Sequence, residues 1–186
     1  MVLTDADEAD LRRIEDALNR VRSVRSPFLQ NSSNGEAAQG TLYLSRPGRL
    51  RVDYAPPTPI LVVADGRFLV YYDRRLEQVS YIPLGATPAS ILLEERIALD
   101  DDKLTITGFQ RTGGDLRLMV TRTENPGEGS ITLIFDQGSL QLSQWEVTDA
   151  QGIVTIISLI DPEFNVKLDK ALFKFEDPRP PSTHSP

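Results

Sequence analysis

The residue types that most often carry enzyme chemistry are almost absent from this sequence. Its 186 residues include no cysteine and a single histidine, His184, which lies in a proline-rich C-terminal stretch. A Ser-His-Asp triad or a zinc site with nitrogen and sulfur ligands is hard to assemble from that set. The run Asp100-Asp101-Asp102 lacks the spacing of an EF-hand, and we interpret it as a solvated turn. We therefore predict no catalytic residue, no metal site, no cofactor and no enzyme activity.

Arg46 is the charged residue with the most informative position. Side chains alternate across a strand, so the strand predicted at residues 37–46 places Arg46 on the same face as Leu42 and Leu44. A guanidinium beside an apolar surface needs hydrogen-bond partners, because an unpaired buried charge is strongly unfavourable. Two interpretations are open. Either the strand ends before Arg46 and the side chain reaches water, or Arg46 tethers something that covers the sheet.

Composition and charge narrow the class of protein. Acidic residues outnumber basic ones 27 to 20, giving a net charge of −7, which argues against nucleic-acid binding. No apolar run approaches the ~20 residues of a membrane span. We expect one domain at residues 1–176, followed by a disordered tail at 177–186. Because Met1-Val2-Leu3 runs directly into acidic residues, we expect either a cytosolic protein or one whose targeting segment has been removed.

The apolar pattern predicts one long helix followed by many strands. Leu11, Ile14 and Leu18 recur at helical spacing, which predicts a helix at residues 4–24. From residue 27 to 160 the period becomes two, and turns such as Asp65-Gly66 separate about eleven strands. A short helix opening at Pro88 (residues 88–95) interrupts them, and we expect another helical turn at 169–173. This predicts a mainly β fold, an antiparallel sheet curved into a barrel or half-barrel.

Nearly every predicted strand has one apolar face, so the curved sheet should have a continuous apolar interior. Alternation along the chain assigns residues of five strands to that interior. They are Leu42, Leu44, Leu50, Val52, Tyr54, Phe68, Val70, Leu118, Val120, Leu133 and Phe135.

Several stretches stand in an order that resembles the LolA family of outer-membrane lipoprotein carriers. These are Phe28-Leu29-Gln30, Gly40-Thr41-Leu42-Tyr43-Leu44, Arg46-Pro47-Gly48-Arg49-Leu50-Arg51-Val52-Asp53-Tyr54, Ala64-Asp65-Gly66-Arg67, Tyr72-Asp73, Leu76-Glu77-Gln78-Val79 and Thr87-Pro88. The resemblance extends roughly from Leu11 to Phe175 and is stronger before Leu93. One departure is Val52, where relatives often have an aromatic residue.

The resemblance implies an unclosed, strongly curved half-barrel whose interior, covered by a helical lid, holds acyl chains. Lid residues would be Leu11, Ile14, Leu18, Ile91 and Leu92, and Arg46 would hydrogen-bond the lid. It also implies a periplasmic monomer. Its partners would be acylated lipoproteins, an inner-membrane release complex and an outer-membrane acceptor.

We therefore predict a periplasmic carrier that ferries lipoproteins from the inner to the outer membrane. The alternative is a binding module of the same fold that senses lipids or lipoproteins and signals to a regulatory partner. A membrane-anchored acceptor of related type would carry an N-terminal cysteine, and the absence of cysteine disfavours it. A lipid hydrolase would need a nucleophile and a base that the sequence does not offer.

Overall fold

A computed structural model describes residues 3–179. His184 and the end of the expected disordered tail lie outside the described residues. The described residues contain one α-helix, α1 (Asp5–Arg20), and four short 3₁₀ helices, at Leu84–Ala86, Pro88–Leu93, Pro126–Glu128 and Lys170–Phe173. The helix at Pro88–Leu93, here called the lid helix, begins where predicted and ends two residues before the predicted residue 95. Its strands are β1 (Ser23–Ser32), β2 (Ala37–Ser45), β3 (Arg49–Tyr54), β4 (Ile60–Asp65), β5 (Phe68–Asp73), β6 (Gln78–Pro83), β7 (Leu104–Thr112), β8 (Asp115–Arg122), β9 (Gly129–Asp136), β10 (Leu142–Asp149), β11 (Val154–Leu159) and β12 (Glu163–Phe164).

The strands form one antiparallel sheet that is not closed. Its order is β6-β5-β4-β3-β2-β1-β11-β10-β9-β8-β7, so β6 and β7 are the two edges. The lid helix lies in the connection between these two edge strands. The predicted unclosed antiparallel sheet is therefore confirmed.

The sheet has twelve strands where about eleven were expected. The additional one, β12, pairs Glu163 and Phe164 with Arg25 and Val24 of β1. It forms because β1 is ten residues long, while β11 pairs only with its second half, Phe28–Ser32. The first half of β1 is therefore free to bind the returning chain.

Helix α1 begins as expected and ends earlier. Thr4 and Asp7 form a capping box, in which the Thr4 hydroxyl accepts from the Asp7 backbone N–H at 3.2 Å and the Asp7 carboxylate accepts from the Thr4 N–H at 2.8 Å. The predicted end at residue 24 is wrong, because the helix ends at Arg20. Residues from Ser23 onward pair with β2, so sheet formation outweighs the helical pattern there.

The C-terminal segment crosses the outer face of the sheet. A 3₁₀ helix at Lys170–Phe173 matches the expected helical turn and buries Phe173. The Arg51 guanidinium donates to the backbone oxygen of Leu172 at 3.2 Å, and the Phe175 ring lies 5.7 Å from that of Tyr72. This segment covers apolar residues on the face opposite α1. Within residues 3–179, none of the helices has the length and apolar character that crossing a bilayer requires.

Candidate functional site

The concave face of the sheet is a continuous apolar surface. Its side chains lie side by side on neighbouring strands, as in the cross-strand pairs Leu42–Val52 in one half of the sheet and Leu118–Leu133 in the other. Seven residues predicted for this interior are buried there, and two more, Leu50 and Tyr54, are partly buried against them. The buried ones are Leu42, Leu44, Val52, Leu118, Val120, Leu133 and Phe135.

Phe68 and Val70 do not belong to this surface, and the prediction was wrong for both. Val70 pairs with Val63, and Val63 pairs with Arg51, so these side chains share the outer face. Val70 is buried there, whereas Phe68 is 42% exposed and packs edge to face against Tyr81. The concave residues of β5 are Leu69 and Tyr71, which alternate with them.

Helix α1 and the lid helix together, here called the cover, lie over the concave face. Leu11, Ile14 and Leu18 of α1 and Ile91 and Leu92 of the lid helix are buried in the same cluster as the concave residues. Besides a cavity of about 60 Å³ lined in part by Ala17 and Phe135, a cavity lined in part by Leu44, Leu92 and Trp145 lies between them and has a volume of about 20 Å³. That is room for about one water molecule. The cover is therefore packed against the concave face, an arrangement here called the closed form.

Arg46 lies at the boundary between the sheet and the cover. It is 7% exposed and follows Leu42 and Leu44 on the concave side. Its Nε donates to the backbone oxygen of Leu92 at 2.8 Å, and its Nη1 donates to that of Leu18 at 2.5 Å. Both carbonyls belong to the last turn of a helix, where the dipole favours a cation.

Burial makes the Arg46 charge unfavourable but does not remove it. Desolvation, with a smaller contribution from the nearby Arg22, lowers the pKa of Arg46 to about 10. The guanidinium therefore stays protonated at neutral pH, and its two carbonyl bonds provide only part of the solvation that water would give. The backbone reinforces the contact, because the Gly48 N–H donates to the Leu93 oxygen at 2.8 Å.

A second arginine, which the sequence analysis missed, reaches the lid helix from the other half of the sheet. Arg122 Nη2 donates to Ser90 Oγ at 2.8 Å and to Glu94 Oε1 at 3.0 Å. Its Nε is buried and has no hydrogen-bond partner among the described residues. The alternation Leu118, Val120, Arg122 was the signal that could have revealed it.

Hydrogen bonds also join α1 to the chain that follows the lid helix. Asn19 Nδ2 donates to the Ile97 oxygen at 2.7 Å, and its Oδ1 accepts from the Ile97 N–H at 2.9 Å. Glu15 Oε2 accepts from the Leu99 N–H at 2.8 Å. These bonds link α1 to the segment that follows the lid helix.

The end of the concave face away from Arg46 is polar and open. The Tyr54 hydroxyl donates to Gln30 Oε1 at 2.7 Å, and burial raises the pKa of Tyr54 to about 12. Beside them is a cleft of about 450 Å³, lined in part by Ala38, Thr58 and Tyr71. The concave face thus has a closed apolar end and an open polar end.

Comparison with known proteins assigns this architecture to a family. The family model for the outer membrane lipoprotein carrier protein LolA matches residues 19–176. An outer-membrane lipoprotein carrier protein of Chromohalobacter salexigens is 31% identical over 184 residues, covering 93% of this chain and 85% of that protein. An uncharacterised protein of Rickettsia prowazekii is 28% identical over 169 residues, covering 90% and 77%.

Among solved structures, a DUF1329 family protein from Desulfovibrio piger superposes with a TM-score of 0.54 at 15% identity. The match covers 92% of this chain and 98% of that one, and it shows a shared fold. The family model extends over most of the chain, from the last residues of α1 through the C-terminal segment on the outer face. The chain belongs to the LolA family of outer membrane lipoprotein carrier proteins, which are carriers and not enzymes.

Proposed function

We propose that this protein binds the acyl chains of lipoproteins between its concave face and its cover, and carries them across the periplasm from the inner to the outer membrane. The observation that carries the proposal is the hydrogen bonding of Arg46 to both parts of the cover across an apolar surface. A buried charge carries a desolvation cost that apolar packing would avoid, so its presence at this boundary suits a cover that opens and closes.

The cavities of about 20 and 60 Å³ beneath the cover are far too small for a long acyl chain, so loading requires the cover to move. Movement would uncover apolar residues of the lid helix, such as Ile91 and Leu92, along with the concave face. The acyl chain would then take the place of these residues against the concave surface.

The energetics favour a binder that can also release. Burial of hydrocarbon contributes ~0.8 kcal/mol per CH₂, so one long chain supplies on the order of 10 kcal/mol. Two or three fully buried chains would approach the practical limit of non-covalent affinity, and release would become too slow. Separating Arg46 from its two carbonyls on opening opposes binding by about 2–5 kcal/mol. The loaded state would store that energy and give it back on release to an acceptor.

Relatives named outer-membrane lipoprotein carrier proteins support this route, and we extend it to this chain. Its cargo would be acylated lipoproteins, received from an inner-membrane release complex and passed to an outer-membrane acceptor. The polar cleft beside Tyr54 and Gln30 is a suitable place for the non-lipid part of the cargo, because that part must stay in water.

The test compares wild type, Arg46→Leu and Arg51→Leu after co-expression with an acylated lipoprotein. Arg51 is the matched control, since it also donates to a backbone oxygen but lies on the outer face. Native mass spectrometry should show a lipoprotein adduct on all three proteins. Only Arg46→Leu should fail to transfer it to outer-membrane vesicles containing the acceptor.

Absence of an adduct on wild type would overturn the proposal. Normal transfer by Arg46→Leu would overturn the role given to that residue. Free lipid without lipoprotein on wild type would instead favour the sensing module.

A further inference from the structure

The two halves of the sheet present arginines to the lid helix in matching positions. In β2, the buried row Leu42 and Leu44 is followed by Arg46, and in β8, the buried row Leu118 and Val120 is followed by Arg122. Each arginine continues the concave row of its strand toward the cover. Arg46 contacts the lid helix at Leu92, and Arg122 contacts it at Ser90 and just beyond it at Glu94.

The two contacts differ in chemistry. Arg46 binds only backbone oxygens and is 7% exposed. Arg122 forms an ion pair with Glu94, in which the side chains are 20% and 37% exposed. An ion pair with this exposure is accessible to salt, whereas bonds from a buried guanidinium to carbonyls are screened much less.

The Arg122 side chain also carries an unsatisfied donor in the closed form, its Nε. A buried donor without a partner is unfavourable, and water can reach it when the cover lifts. The ion pair with Glu94 and the bond to Ser90 act against this cost in the closed form.

We infer that Arg122 and Glu94 form a second, ionic latch that holds the lid helix shut and sets how readily the cover opens. The effect of this latch on cargo rests on the proposed function, since the opening that it controls is the one that would admit acyl chains. The latch itself is a property of the empty protein. Arg122 acts on the cargo only through the lid helix and is a positioning residue.

The test measures amide hydrogen exchange of Ser90 and Glu94 by NMR in the empty protein. These N–H groups donate to Thr87 and Ile91 within the lid segment and report its opening. Arg122→Met and Glu94→Gln should each raise the exchange rates of these two amides about 5- to 30-fold. That range corresponds to losing an interaction between an exposed ion pair and a charge-assisted hydrogen bond in strength. The double variant should exchange no faster than the faster single one, and Arg122→Lys should restore much of the protection.

Ionic strength distinguishes the latch from a packing effect. Between about 10 mM and 1 M salt the screening length falls from about 30 Å to about 3 Å. Lid exchange in wild type should accelerate over that range, whereas exchange in Glu94→Gln should change little. The pair Arg117–Glu146, with an N–O distance of 2.6 Å and exposures of 32% and 21%, is the matched control. Its variants Arg117→Met and Glu146→Gln should leave lid exchange within about twofold of wild type.

Uptake of a synthetic diacylated lipopeptide, followed by the fluorescence of the single tryptophan, Trp145, supplies the functional readout. Glu94→Gln should load faster than wild type. Unchanged lid exchange in Arg122→Met and Glu94→Gln would overturn the latch, and so would an equal effect of the Arg117–Glu146 variants. If wild type takes up no lipopeptide, the proposed function fails while the exchange data still decide whether the latch exists.

Discussion

The Tyr54 ring packs edge to face against Phe28, with 5.4 Å between the ring centroids, across the position of Gly40. Gly40 lies between them in the sheet, paired with both residues. A Cβ atom at Gly40 would come within 2.0 Å of the Asp53 backbone oxygen. The close approach of β2 and β3 at the polar end of the concave face therefore requires glycine.

We expect Gly40→Ala to lower the free energy of unfolding by about 1–3 kcal/mol, because the strands must separate to admit the methyl group. Urea unfolding followed by Trp145 fluorescence measures the change. Gly85→Ala is the control, since a Cβ there meets no atom within 4 Å. Equal stability of the two variants would contradict the requirement for glycine.

Arg46 should tolerate leucine better than lysine. Leucine removes two hydrogen bonds but also removes a buried charge whose pKa is lowered to about 10. Lysine keeps the charge and loses the planar fork that reaches both Leu92 and Leu18. We expect Arg46→Leu to unfold within about 1 kcal/mol of wild type and Arg46→Lys to be less stable by about 1–3 kcal/mol. Urea titrations at neutral pH check this, and the reverse order would show that the charge itself stabilises the fold.

Asp7 makes the attachment of α1 sensitive to acid. Backbone and side-chain hydrogen bonds with Thr4, and then the Arg111 guanidinium, lower the pKa of Asp7 from 3.8 to about 2. A carboxyl group with a lowered pKa stabilises the folded state above its unfolded pKa, and this contribution is lost as the pH falls. Asp7→Asn should therefore be less stable than wild type at pH 6. The difference should shrink as the pH falls from about 4 toward 2.

Thermal unfolding of wild type and Asp7→Asn across that pH range gives the measurement. Asp5→Asn is the matched control in the same helical turn, because Asp5 bonds neither Thr4 nor Arg111 in the structure. If the stability difference between Asp7→Asn and wild type stays constant down to pH 2, the acid sensitivity does not come from the lowered pKa of Asp7.

The pattern of β2 was sufficient to predict its orientation, and that of β5 was not. In β2, Leu42 and Leu44 alternate with polar or half-exposed residues, so the buried face is defined. In β5, Phe68 and Val70 alternate with Leu69 and Tyr71, and both rows are apolar. Val70 is placed on the outer face only because it pairs with Val63 of β4, which in turn pairs with Arg51 of β3. This assignment needs the pairing of all three strands, which the sequence of β5 alone does not contain.

The other features that the sequence did not predict depend on contacts between segments that are distant along the chain. The early end of α1 and the added strand β12 both follow from pairing with β1, which local periodicity does not encode. Alternation in β8 places Arg122 after Val120, but its partner Glu94 is 28 residues away and is identified only by the folded chain. The two bonds of Arg46 to the cover are observed, while its part in loading and release stays a prediction.

Because Phe68 and Val70 lie on the outer face, substitutions there distinguish effects on lipopeptide binding from effects on folding stability. If acyl chains bind the concave face, Phe68→Ala and Val70→Ala should leave lipopeptide affinity unchanged, although Val70→Ala should lower the free energy of unfolding, because Val70 is buried. Leu44→Ala should change affinity, since Leu44 lines the small cavity beneath the cover. Titration of a diacylated lipopeptide against each variant, with urea unfolding in parallel, measures both quantities. Weaker binding by Phe68→Ala would place the acyl site on the outer face and refute binding at the concave face.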